Sequence, residues 1–322
     1  MKTKFAIGCL VQWYEIEIVG EYIESLKQAL NHYKDDELLV DFTFNINQML
    51  EKVDVTQTSI ETLVNKFTDM MDDLEGDDNY NVRYTINEDF ITIADYRRWF
   101  NDYYCEKVDV LMWGESDSLI PRQTFQVLDS LHDGVKEKTP KYVLFFGTCK
   151  MWDDSWKPIE HNDFTDKPFI DIDTEDTEHW WSLRYNMSID EMNTINDKVE
   201  ELDVRVVNPY KFNGCGLVIS SDVIKSGVNI PKSVMLVHED TAFQNSLIKM
   251  FDGSIPQFIF KNILLVHNRK HTKKREYVLG EDVNETNPGV KRESNDWYKA
   301  VWKFDNEHAW KGFQQGKIYT WD

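Results

Sequence analysis

The stretch Val108-Asp-Val-Leu-Met-Trp-Gly-Glu-Ser-Asp-Ser-Leu-Ile-Pro121 decides the reading of the fold. An apolar run rich in β-forming residues stops at Gly114, and two carboxylates, Glu115 and Asp117, follow two positions apart. This is the pattern of a strand that delivers acids to the rim of a sheet, where ligands bind in open α/β folds. Neighbouring carboxylates repel one another, so the pair needs a cation between them or a retained proton. Mg²⁺ or Mn²⁺ suits that position, because each takes oxygen ligands, keeps waters and is commonly shared with substrate phosphates. The competing reading is a solvated turn capping a helix that begins near Thr124, since Asp117 and Ser118 are both ordinary cap residues. The acid-x-acid spacing does not choose between the two.

Upstream, Phe5 to Val11 is a compact apolar run, and residues 21–33 place Ile23, Leu26, Leu30 and Tyr33 on one helical face. Leu38 to Phe44 follows as a second strand, so the start of the chain reads as a βαβ unit with parallel pairing. No G-x-G-x-x-G follows the first strand, which argues against a classical dinucleotide fold. Gln48 to Leu74 reads as a helix with a frayed acidic end. Residues 91–104 read as a better one, with Ile93, Arg97, Phe100 and Tyr104 on one side. An arginine on an otherwise apolar face either packs its stem and snorkels or reaches a ligand. Past the acid pair, Thr124 to Val135 has helical spacing and Lys141 to Phe146 is a further strand. The expected fold class is therefore α/β, a Rossmann-type sheet flanked by helices.

Downstream the pattern changes. Gly147 to Tyr185 is rich in tryptophans (Trp152, Trp156, Trp180 and Trp181) and acids, and reads equally as a functional loop or lid or as a loop pinned by its own aromatics. Ser188-Ile-Asp-Glu191 is a capping box that opens a helix. Asn213-Gly-Cys-Gly216 puts two glycines just before a strand, which lets backbone approach a ligand closely. Val234-Met-Leu-Val-His-Glu-Asp240 reads as a strand ending in Glu239 and Asp240, with a helix from Thr241. It is not H-E-x-x-H, because position 242 is alanine, so a zinc protease is excluded. Phe258 to Val266 is an apolar strand closed by His267, and a basic segment containing Arg269, Lys270, His271, Lys273, Lys274 and Arg275 follows. Ser294 to Asp322 reads as an amphipathic helix and a tail.

Composition narrows the classes. At 322 residues and 41% hydrophobic content the chain can bury a large core. A net charge of −21 opposes loose nucleic-acid binding, which draws its affinity from lysine and arginine. No stretch approaches the ~20 apolar residues of a membrane span, so no membrane partner is expected. The start of the chain runs straight into a strand pattern, so no secretory signal is expected. Cys9, Cys105, Cys149 and Cys215 show no C-x-x-C spacing and suggest neither zinc nor disulfides. A cytoplasmic setting is expected, host cytoplasm if the source is viral.

The segment Trp113-Gly-Glu-Ser-Asp-Ser-Leu-Ile-Pro121 resembles the Asp-x-Asp region of GT-A glycosyltransferases, especially family 2, with Glu115 a modest departure. The resemblance implies a single GT-A-like domain over 1–322. Residues 1–146 would form a nucleotide-sugar-binding half, and 147–322 an elaborated acceptor half with a C-terminal helix and tail. By resemblance, Glu115 and Asp117 hold the metal that bridges a donor diphosphate, with His267 (or His271) completing the metal shell. Gly114 and Glu115 line the donor, and Arg97 or Arg269 reaches its phosphates. The segment after the first strand, with Val11, Trp13 and Tyr14, borders the nucleobase, and Asp41 or Asn45 hydrogen-bonds it. Gly214 and Gly216 border the acceptor pocket, and Trp152 offers an aromatic face there. Asp240 is the general base of an inverting reaction, and Glu239 orients it or touches the acceptor.

The expected activity is metal-dependent transfer of a sugar from a nucleotide-diphosphate donor, uridine-based by family habit, to an acceptor hydroxyl. The acceptor is a soluble glycan, a small molecule, or a hydroxymethylated pyrimidine in DNA, since the aromatic- and aspartate-rich composition also resembles phage proteins. A nucleotidyltransferase or phosphodiesterase shares strand-end acids and phosphate chemistry. A sugar-binding module without catalysis is the third class.

Overall fold

The computed structural model describes residues 2–16, 18–35, 37–47, 59–75, 80–148, 188–206, 214–236, 238–267 and 296–312. Its first strand, β1 (Phe5–Gln12), is buried along nearly its whole length. Alternate residues go to opposite faces: Phe5, Ile7, Cys9 and Val11 join one apolar cluster, while Ala6 and Leu10 join another. A strand covered on both sides reads as a continuous apolar run, which is why β1 was legible.

A 3-10 turn at Trp13–Glu15 leads into α1 (Val19–Tyr33), and β2 (Leu39–Asn45) then lies parallel beside β1. After α2 (Ile60–Glu75), β3 (Asn81–Asn87) pairs in parallel with β2. Next come α3 (Ile93–Tyr104) and β4 (Val110–Trp113), which pairs in parallel with the other side of β1. A two-residue strand β5 (Ser118–Leu119), α4 (Thr124–Val135) and β6 (Val143–Thr148) follow. The second half supplies α5 (Ile189–Asn196), β7 (Val204–Val206), β8 (Val218–Ser220), α6 (Ser221–Lys225), α7 (Glu239–Phe251), β9 (Gln257–His267) and α8 (Asp296–Asn306). A π-helical turn at Glu307–Gly312 ends the described chain.

The sheet order is β3-β2-β1-β4-β8-β6-β9-β5, with β7 on β9. β8 runs antiparallel between β4 and β6, while β6 and β9 are parallel to each other. Strands from both halves of the sequence thus share one sheet. Leu26, Phe67 and Phe125 from α1, α2 and α4 pack on one face. Phe100, Val223 and Phe243 from α3, α6 and α7 pack on the other. The fold class is the expected α/β sheet flanked by helices.

Two expectations need correction. Val234 to Val237 is not a strand in its described part, and α7 begins at Glu239 rather than Thr241. Instead of sheet partners, the amides of Met235 and Leu236 donate to the buried carboxylate of Asp305 on α8, at 3.1 and 2.6 Å. His238 turns the chain into α7 in the left-handed region, with φ 63°. β3, by contrast, was not anticipated, because it is a half-exposed edge strand with polar and apolar residues intermixed.

Candidate active site

The strand-end acids and the histidine meet because β5 and β9 are antiparallel neighbours, with Ser118 opposite His267. That pairing brings Asp117 and Glu115 to the imidazole. His267 Nε2 lies 2.7 Å from Glu115 Oε2 and 3.1 Å from Asp117 Oδ1. Asp117 and His267 are both nearly buried. Burial alone would raise the Glu115 carboxyl, but His267 and Arg97 outweigh it and hold the group well below the ordinary carboxylate range.

Arg97, on the inner face of α3, lies at the middle of this cluster. It was expected at the donor diphosphate. Instead its guanidinium is 2% exposed and committed to protein acids. Nη1 donates to Glu239 Oε1 at 2.5 Å, and Nη2 donates to Glu115 Oε1 at 2.8 Å and to the Gly214 carbonyl at 3.2 Å. The ring of Trp113 backs the guanidinium, 4.7 Å from its carbon. Arg97 therefore joins the acid after β4 to the acid at the start of α7. Burial raises the Glu239 carboxyl to about 7 despite Arg97, with Asp240 and Glu115 adding to the rise.

Asp240 stands beside this bridge. Its Oδ2 accepts from the Gly214 amide at 2.9 Å, and its Oδ1 accepts from the Thr241 amide at 2.6 Å. Gly214 thus uses its carbonyl on Arg97 and its amide on Asp240. A Cβ at this position would lie 2.5 Å from Arg97 Nη1, so a larger residue would push the guanidinium off its present partners. Gly216 follows at φ +67°, in the left-handed region that glycine adopts without strain.

The nucleobase expectations fare differently. Trp13 and Tyr14 were expected to offer a stacking face, but both rings are buried in the core and packed edge to face. Val11 is fully buried as well. Asp41 lies three residues into β2, and its carboxylate accepts from the hydroxyls of Tyr96 and Tyr104 at 2.9 and 2.8 Å. Asn45 ends β2; its Nδ2 donates to Gln12 Oε1, and its Oδ1 accepts from Asn87. These three residues tie together the carboxyl ends of β1, β2 and β3. Trp152, Arg269, His271 and the rest of the basic segment lie outside the described residues.

One member of the cluster was not anticipated. Cys215 Sγ lies within 4.8 Å of donor atoms on both Glu115 and His267. No spacing in the sequence flags it, because its neighbours come from β9 and from the loop after β4.

The donors suit a divalent ion. Two ligands at ~2.1 Å on adjacent positions of one ion stand ~3 Å apart, and the separations at His267 Nε2 are 2.7 and 3.1 Å. Below them, the hydroxyl of Tyr22 is buried without a hydrogen bond among the described residues. It fills the space that a Cβ on Gly114 would occupy.

Parallel β3-β2-β1-β4 continues through antiparallel β8 to β6 and β9. Acids follow β4, and a histidine closes β9. The chain has an α/β fold with one mixed sheet flanked by helices. No protein-family model matches the chain, and no curated protein matches it in sequence. Among solved structures it is similar to S. aureus TarS residues 1–349, with 11% identity, a TM-score of 0.45, and coverage of 99% of this chain and 94% of that one. It is also similar to UDP-glucose pyrophosphorylase bound to UDP-glucose, with 8% identity, a TM-score of 0.38, and coverage of 81% and 90%. A third is 4-diphosphocytidyl-2C-methyl-D-erythritol synthase from Anaerococcus prevotii, with 8% identity, a TM-score of 0.37, and coverage of 86% and 96%. Among the described residues, no helix is long and apolar enough to cross a membrane.

Proposed function

We propose that the chain is a metal-dependent glycosyltransferase that moves a sugar from a nucleotide-diphosphate donor, uridine-based, to an acceptor hydroxyl with inversion. The observation that carries the reading is the meeting of Glu115 and Asp117 on His267, whose Nε2 lies 2.7 Å from Glu115 Oε2 and 3.1 Å from Asp117 Oδ1. Asp240 is tied to the same cluster through Gly214 and Arg97.

Glu115, Asp117 and His267 would hold Mn²⁺ or Mg²⁺, which would supply positive charge against a departing diphosphate. Asp240 takes the acceptor proton, a contribution typically worth ~10²–10⁴-fold. The Gly214 and Thr241 amides orient its carboxylate. Arg97 holds Glu115 and Glu239 in place rather than touching the donor, so Arg269 remains the candidate for the donor phosphates. In this reading residues 1–146 supply the donor half and residues 147–322 the acceptor half.

A soluble glycan or small molecule suits an acidic chain as acceptor. The basic segment after His267 favours DNA carrying hydroxymethylated pyrimidines as the alternative, and a steep salt dependence of duplex binding would mark that case.

The test is incubation with a panel of nucleotide sugars and Mn²⁺, followed by analysis of which group moves. Transfer of a glycosyl group supports the proposal, and transfer of a nucleotidyl group replaces it with nucleotidyltransferase chemistry. Asp240→Asn should abolish transfer while leaving donor binding intact; loss of donor binding would overturn the role given to Asp240.

A further inference from the structure

The metal reading above rests on oxygen and nitrogen donors, yet the cluster also contains a thiol. Cys215 is 1% exposed. It sits on the turn between Gly214 and Gly216, so its backbone is fixed by the same glycine that binds Arg97 and Asp240. Its sulfur lies within 4.8 Å of both Glu115 and His267 donor atoms. Donors at ~2.1–2.3 Å around one ion stand at most ~4.5 Å apart, close to the 4.8 Å within which the donor atoms of Glu115, Cys215 and His267 lie. Gly216 packs its α-carbon against Leu265 of β9, where a Cβ would lie 2.5 Å from Cδ1, and this holds the cysteine turn against the strand that carries His267. The Tyr22 hydroxyl beside Gly114 is a second buried polar atom, without a hydrogen bond among the described residues.

From this geometry we infer that Cys215 is a further metal ligand, which gives the site a thiolate beside the Glu115 carboxylate and the His267 imidazole and so selects thiophilic or borderline divalent ions against Mg²⁺. This rests on the metal-dependent reading and narrows it. Thiolate ligands favour zinc-like ions, imidazole suits zinc, and Mg²⁺ demands near-ideal octahedral geometry with oxygen ligands and waters. A buried sulfur in the ligand shell cannot serve Mg²⁺ well. It strengthens binding of Co²⁺, Zn²⁺ and Cd²⁺, in a site that Mn²⁺ can also enter through its oxygen and nitrogen donors.

The test uses the full chain, reduced with a phosphine rather than a thiol, and titrated with Co²⁺ alone. A sulfur-to-cobalt charge-transfer band in the near ultraviolet should appear at one equivalent. Cys215→Ser should still bind Co²⁺, seen in its visible d–d absorption, but lose that band. Changing Cys9, Cys105 and Cys149 to serine one at a time should leave the band in place, which assigns it even if Cys215→Ser folds poorly. By competition, Cys215→Ser should weaken Cd²⁺ binding by ~10–100-fold and change Mn²⁺ binding by less than about threefold. Co²⁺ bound without the band in the wild-type chain would overturn the role of Cys215 while leaving the oxygen and nitrogen site standing. A band that survives in Cys215→Ser would overturn it too. Absence of any Co²⁺ binding would overturn the metal site itself, and this inference with it.

Discussion

Arg97 and Glu239 stand 142 residues apart in the chain and are joined by a 2.5 Å hydrogen bond in its interior. The same guanidinium holds Glu115 at 2.8 Å. Removing one partner of a buried ion pair leaves an uncompensated charge and costs ~3–5 kcal/mol. Arg97→Met leaves Glu239 without its partner, while Glu115 keeps His267, and should lower unfolding free energy by about that amount in urea titration. A loss under about 1 kcal/mol would mean the bridge behaves as an exposed pair.

Glu239 gives the metal-free chain a pH dependence of known sign. Its folded carboxyl is raised to about 7, chiefly by burial, from an ordinary value of 4.5. Between those values the folded state retains a proton that the unfolded chain has released, so stability falls as pH rises through that window. Below the lower value the two states are equally protonated, and the contribution is constant. Glu239→Gln should flatten this slope in denaturation midpoints measured in EDTA; an unchanged slope would assign the dependence to another group.

Asp41 and Asn45 were equal candidates for the nucleobase from sequence. With its carboxylate on the hydroxyls of Tyr96 and Tyr104, Asp41 reads as a core residue. Asp41→Ala should cost about 1–3 kcal/mol by leaving buried hydroxyls without an acceptor, and should leave UDP affinity within about twofold of wild type. Asn45→Ala, at the strand end, should weaken UDP binding. Equal losses of UDP affinity in both variants would return Asp41 to the binding site.

The approach to α7 depends on the C-terminal helix. Asp305, fully buried, accepts from the Met235 and Leu236 amides. Asp305→Ala should therefore speed hydrogen exchange at those two amides and cost about 1–3 kcal/mol of stability. Exchange as slow as wild type would show that other contacts fix the segment.

What the sequence revealed follows the reach of each interaction. Residues 5–44 show their strand, helix and strand because burial on both faces leaves an unbroken apolar run in β1 and a helical stripe in α1. The capping box at Ser188 is local, and its two hydrogen bonds form as read. The run Val234-Met-Leu-Val has β-like composition, yet its backbone partner is a carboxylate about seventy residues onward, which no periodicity encodes. Trp13 and Tyr14 looked available because they follow a strand; the 3-10 turn folds them inward. Glu115, Asp117 and His267 were legible as strand-end polar residues. The Arg97 bridge and Cys215 were not, since each depends on three segments converging.

The most direct measurement is calorimetric titration of UDP into the chain with Mn²⁺ and with EDTA, repeated for His267→Ala. If Glu115, Asp117 and His267 form one metal site for a nucleoside diphosphate, UDP binds only with Mn²⁺, and His267→Ala weakens that binding by at least ~10-fold. UDP binding of equal strength in EDTA, or undiminished in His267→Ala, would contradict it.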